Sequence, residues 1–135
     1  IVQVITRFQD SMVVIDSTGV GDGIYDMLQR ELGKYPRTRL TGIKLNNTNK
    51  KEMIDNLALA IETKEIHYPN IPELVNELQI YTYKMSENRN VTYGAPPGYH
   101  DDAVTALFLA YAGLKQDIGG VFIFGGFGGI KTQSF

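Results

Sequence analysis

Two acidic positions in this chain have the type and setting for chemistry. Asp16 closes the apolar run Met12-Val13-Val14-Ile15 and opens the glycine-rich turn Ser17-Thr18-Gly19-Val20-Gly21-Asp22-Gly23. Asp101 and Asp102 stand side by side after His100, directly before a run with helical spacing. A carboxylate at the carboxyl end of a buried strand lies where open α/β sheets place ligands. Two adjacent carboxylates at a helix start are stabilised by the free backbone N–H groups there. Their mutual repulsion is relieved best by a cation between them. Carboxylate and water oxygens are the donors that Mg²⁺ and Mn²⁺ prefer. If the two positions meet across one crevice, they form a hard-metal site, with His100 orienting a carboxylate or water from behind. The plainer alternatives are that Asp16 caps its own turn, that the Asp pair caps a helix, and that His100 is a surface residue.

The loop glycines exclude two other sites. A P-loop ends in Gly-Lys-Ser/Thr, which is absent, and the dinucleotide fingerprint needs G-x-G-x-x-G where this loop has G-x-G-x-G. Gly19, Gly21 and Gly23 instead allow a tight strand-to-helix turn, and at Thr18 and Gly19 a phosphodiester can approach the backbone closely. Asn46, Asn47, Asn49, Lys50 and Lys51, with Lys44 just before, mark another strand-to-helix turn. Amides and lysines in that setting are either solvated surface or contacts to a nucleic-acid backbone, which need no base reading.

Positioning these residues requires an alternation of strands and helices. Residues 1–10 have helical spacing, with Ile1, Val4, Ile5 and Phe8 on one face, and feed the Met12–Ile15 strand. Asp22 to Leu32 forms a helix with Gly33 as its C-cap. Leu40 to Leu45 is a second strand. Asn49 and Glu52 then start a helix with a capping-box-like pair, and Ile54, Leu57, Ala58 and Ile61 form its apolar face. Ile66 to Tyr68 is a short extended piece in which His67 packs. Pro72 opens a helix whose face is Leu74, Leu78, Tyr81 and Met85, broken at residues 86–90. Val91 to Tyr93 is a small edge strand. The last helix buries Val104, Leu107, Phe108 and Tyr111.

The 135 residues make one domain or most of one. Apolar content of 43% with 21% charged residues is that of a soluble globular chain. A net charge of −2 gives no bulk attraction to nucleic acid or membrane, though a local basic patch stays open. Without cysteine there is no disulfide, thiolate nucleophile or cysteine metal site, which fits a reducing compartment. No apolar run approaches a membrane span and no signal peptide is visible. A domain spans residues 1–117. Residues 118–135, with six glycines and four phenylalanines, form a tail. It is either a flexible or hairpin-like extension or a segment that docks on a partner through its aromatics.

The order of IDSTGVGDGIYDML, IKLNNTNKKEMIDNLALAIE, IHYPNIPELVNEL, YTYKM and GYHDDAVTALFLAYA resembles the C-terminal nuclease domain of large terminase subunits, the DNA-packaging motors of tailed bacteriophages and prophages. The resemblance covers about residues 1–114. It implies an α/β, RNase H-like fold: a mixed sheet flanked by helices, with an acidic site for two Mg²⁺ or Mn²⁺ ions. By motif, Asp16 corresponds to the acidic residue ending that fold's fourth strand, and Asp101 and Asp102 to the acidic cluster opening the last helix. Asn49, Lys50 and Lys51 correspond to a helix-starting, DNA-facing segment.

The family's first catalytic aspartate lies on a first strand that nothing here matches, so the chain reads as an N-terminally truncated domain. It carries two of three acidic positions, without the first strands and without an ATPase domain, and is impaired on its own. The implied activity is endonucleolytic cutting of duplex, concatemeric viral DNA during packaging, in the host cytoplasm. The implied partners are double-stranded DNA, an ATPase domain, a portal and a small terminase subunit, and no membrane. The rival readings are another RNase H-like nuclease of resolvase or transposase type, and a non-catalytic packaging module.

Overall fold

A computed structural model describes residues 2–5, 7–8, 11–19, 21–35, 37–85 and 91–117. The tail expected over 118–135 and the break expected over 86–90 lie outside these residues. The elements in chain order are α1 (Val2–Ile5), β1 (Met12–Asp16), α2 (Gly21–Leu32), β2 (Arg39–Ile43), α3 (Asn47–Glu62), α4 (Pro72–Ile80), β3 (Thr82–Met85), β4 (Val91–Gly94) and α5 (Asp102–Asp117).

β1 and β2 pair in parallel, from Met12 opposite Arg39 to Asp16 opposite Ile43, with α2 as the crossover between them. This βαβ unit puts the carboxyl ends of both strands on one edge. β3 and β4 form a separate antiparallel pair, with Tyr83 opposite Tyr93. α5 packs on β1, α3 and α4 pack on α5, and α2 packs on β2. The core is Ile43 from β2, Met53, Leu57 and Ala60 from α3, Leu74 from α4, and Val104, Phe108, Leu109, Tyr111 and Ala112 from α5.

The β1 residues Val13, Val14 and Ile15 are half-buried rather than enclosed. Among the described residues β1 pairs along one edge only, with β2. Contact with α5 is unusually close. A Cβ placed on Gly113 would lie 2.6 Å from Val14 Cγ2, so only glycine lets the helix backbone sit there.

Several expected details shift. Of the face expected over residues 1–10, Ile5 is buried while Val4 and Phe8 are exposed, because α1 is a single turn against α2. The capping box of α3 is Asn46 with Asn49, not Asn49 with Glu52. Asn46 Oδ1 accepts from the Thr48 and Asn49 N–H groups (2.9 and 3.0 Å), and Asn49 Oδ1 accepts from the Asn46 N–H at 2.8 Å. The core face of α3 is centred on Met53, Leu57 and Ala60, which share the i, i+4, i+7 spacing, and Ala58 is exposed. α4 stops at Ile80, and Met85 sits exposed on β3 instead of on a helix face. The β-prone Thr82-Tyr83 segment gains cross-strand partners in β4 that a longer helix would forgo. Ile66 and Tyr68 pack on the core without joining a sheet, and His67 points to solvent.

α3 ends in a Schellman motif. Glu65 N–H donates to Ala60 C=O (2.8 Å) and Lys64 N–H to Ile61 C=O (3.1 Å), with Lys64 in the left-handed region at φ 57°. A side chain there costs about 1 kcal/mol relative to glycine. Lys64→Gly is therefore expected to raise unfolding free energy by up to about 1 kcal/mol, read as a higher urea midpoint at unchanged slope.

Candidate active site

Asp16 closes β1 and turns its carboxylate back on the loop that follows: Thr18 N–H donates to Asp16 Oδ1 at 2.7 Å. This is an Asx turn, completed by Gly19 at φ +71°. One carboxylate oxygen thus shapes the turn and Oδ2 remains for a ligand. Thr18 ties this loop to the end of the neighbouring strand, since its Oγ1 accepts from Leu45 N–H at 2.6 Å. The residue after Leu45 is the Asn46 cap of α3, and one turn into that helix Lys50 donates from Nζ to Asp101 Oδ2 at 3.3 Å. This relay of contacts links the loop after Asp16 to Asp101, 85 positions away in sequence, through the start of α3.

Asp101 and Asp102 differ sharply in setting. The Asp101 side chain is 30% exposed and is paired with Lys50, itself 21% exposed. The Asp102 side chain is 93% exposed, with His100 Nδ1 3.9 Å from its Oδ2, and His100 is 85% exposed. Neither aspartate supplies the helix cap. Glu77, on α4, reaches across so that its Oε2 accepts from the Ala103 and Val104 N–H groups at 2.7 and 3.1 Å. Two N–H groups in the first turn of α5 are thus satisfied from another helix, and neither aspartate carboxylate is spent on them.

Sequence reasoning passed over Glu77, because no local signal joins residue 77 to residue 103. Glu77→Ala should lower stability by about 1–2 kcal/mol in urea unfolding by leaving two helix N–H groups unpaired. Glu77→Gln, which keeps an amide oxygen in place, should recover most of that loss.

Two more residues shape the edge. A Cβ on Gly94, at the end of β4, would stand 3.2 Å from Asp101 Oδ2, so glycine leaves room beside that oxygen. The Tyr81 ring lies under Lys50, with Nζ 5.9 Å from its centroid. Burial, with the nearby Asp101 charge second, pushes the Tyr81 phenol well above its ordinary pKa, and its hydroxyl is buried without a partner among the described residues. Of the candidate DNA contacts, Thr18, Gly19 and Lys51 are exposed, and Lys51 pairs with Asp55 on the same helix. Asn49 is turned inward, 5% exposed, with its amide nitrogen donating to Lys44 C=O at 2.9 Å.

For a hard divalent cation the donors are of the right kind. They are carboxylate oxygens, and Asp101 Oδ2 already holds a cation, the Lys50 ammonium, beside the space left by Gly94. Among the described residues, no three or more His, Cys, Asp or Glu side chains are gathered closely enough to enclose a metal. Asp102 faces solvent and Asp101 faces Lys50. These residues fit as part of a metal shell rather than a closed one. No described helix is long and apolar enough to cross a membrane.

Comparison with known proteins gives a consistent result. The profile of the terminase RNaseH-like domain matches residues 1–114. The large terminase subunits of Thermus phage G20c and Thermus virus P23-45 are each 34% identical over 101 residues, which is 74% of this chain and 20% of the relative. The chain therefore spans about a fifth of those relatives' length. The crystal structure of the G20c large terminase nuclease with bound cobalt superposes with a TM-score of 0.65 at 28% identity, over 82% of this chain and 61% of that one. The magnesium-bound form gives the same score and identity, over 82% and 60%. With the parallel β1–β2 unit, the antiparallel β3–β4 pair and the flanking helices, these matches establish that the chain has an RNase H-like fold and belongs to the terminase RNaseH-like domain family.

Proposed function

We propose that this chain is the nuclease part of a large terminase subunit and hydrolyses phosphodiesters of duplex, concatemeric viral DNA during genome packaging, with two divalent ions, Mg²⁺ or Mn²⁺, as cofactors. The observation that carries the proposal is the match to the family over residues 1–114, supported by the contacts that link the Asp16 turn to Asp101 through the start of α3. The cobalt- and magnesium-bound relatives support the choice of a divalent ion.

Asp16, Asp101 and Asp102 would hold the metal. Bound there, divalent ions supply an activated water and offset the charge on the leaving oxygen. The Asx turn fixes the direction of the Asp16 carboxylate. Glu77 fixes the start of α5, and so the place of Asp101 and Asp102. His100 steadies Asp102 from the solvent side. The exposed Thr18-Gly19 backbone and Lys51 contact DNA phosphates, Lys51 by exchanging Asp55 for a phosphate. Such contacts carry no base sequence, so cutting is largely sequence-independent and salt-sensitive. In the whole protein the partners are an ATPase domain, a portal and a small terminase subunit, in the host cytoplasm.

The test is nicking of supercoiled plasmid by the intact protein and by this chain alone, with Mn²⁺ and with EDTA. Cleavage by the intact protein that EDTA abolishes supports the reading. Intact, folded protein that leaves the plasmid uncut in Mn²⁺ would favour a non-catalytic packaging module.

A further inference from the structure

Lys50 does not behave as a surface lysine. It lies in the opening turn of α3, where the helix dipole disfavours a cation, so its position does not serve the helix. Its neighbour Lys51 makes an ordinary exposed pair with Asp55 on the same helix. The Lys50 side chain is instead drawn in to 21% exposure. It crosses to a different element and sets its ammonium between Asp101 Oδ2 at 3.3 Å and the Tyr81 ring. Its partner is 51 residues away in sequence. Gly94 leaves space around the same carboxylate oxygen.

We propose that Lys50 is a resident counter-ion of Asp101 that sets the affinity of the acidic edge for divalent metal. Its ammonium neutralises Asp101 before metal arrives and repels an incoming divalent ion once it has arrived. The lysine thus keeps the carboxylate oriented without metal and weakens the binding of the ion that Asp101 contacts. The inference rests on the reading of Asp101 as a metal-holding carboxylate. It gives Lys50 a positioning and affinity-setting role in place of a contact to DNA.

The physical argument fixes the sign. A +1 charge a few ångströms from a +2 ion costs binding even with nearly full water screening, and removing it should tighten the ion by about tenfold. The fixed charge carries the effect, so arginine should preserve it and neutral side chains should not.

The experiment is calorimetric titration of Mn²⁺ into the intact protein, with circular dichroism confirming the fold of each variant. Lys50→Gln is the neutral variant, and Lys50→Met is a second one that keeps an apolar stem against Tyr81. Lys50→Arg keeps the charge, and Asp101→Asn tests the underlying site. The expected result is Mn²⁺ binding about tenfold tighter in both neutral variants, unchanged in Lys50→Arg, and reduced in Asp101→Asn. Unchanged or weaker binding in the neutral variants, with binding still reduced in Asp101→Asn, overturns the role of Lys50 and leaves the metal site standing. Wild-type binding in Asp101→Asn removes the metal reading of Asp101, and the inference with it.

Discussion

Asp16→Asn in the intact protein is expected to reduce DNA cleavage by more than about a hundredfold while leaving the melting temperature within a few degrees of wild type. The separation follows from the two tasks of the side chain. Its Oδ1 accepts the Thr18 N–H and shapes the turn, and an asparagine oxygen can do the same. The negative charge that would hold a divalent ion is lost, because a neutral amide is a much poorer ligand. Asp16→Ala should lose both, giving the same inactivity with added instability from the opened turn. Plasmid nicking and thermal unfolding on the same preparations decide the matter, and wild-type cleavage by Asp16→Asn would remove Asp16 from the site.

Gly113→Val is expected to be the most destabilising of these substitutions, by about 3 kcal/mol, visible as a lower urea midpoint. The cause is steric. A Cβ at 113 would stand 2.6 Å from Val14 Cγ2 and 3.6 Å from Met12 Sδ, and the β-branched Val14 has little rotamer freedom with which to yield. α5 would have to lift off β1, and with it Asp101 and Asp102 at its start. Gly113→Ala meets the same contact but regains roughly 1 kcal/mol of helix propensity, so its net effect is smaller. Equal stability of the valine variant and wild type would show that α5 has room for a side chain at 113 against Val14.

Local order was largely readable from the chain. The apolar run ending in Asp16 gave β1, and the Gly33 stop gave α2. Pro72 marked the start of α4, and the spacing of Val104, Phe108 and Tyr111 marked α5. These signals act within a turn or a strand, where residue type alone sets backbone preference. The same locality misled at the boundaries. Apolar spacing through Met85 read as helix, although pairing with β4 makes Thr82–Met85 a strand. The apolar face of α3 expected from Ile54, Leu57, Ala58 and Ile61 holds at Leu57 and at the flanking Ile54 and Ile61, whereas Ala58 is exposed and Met53 and Ala60 join Leu57 in the core.

The family motifs belong to the sequence by itself, as does the expectation that Asp16, Asp101 and Asp102 are its acidic positions. Only the tertiary structure decided what surrounds them: Glu77 capping α5 from α4, Gly113 admitting α5 to β1, and Lys50 neutralising Asp101. Each of these joins residues far apart in the chain. Their meeting depends on how helices pack over the β1–β2 unit, and no spacing rule that acts over a few residues encodes that packing.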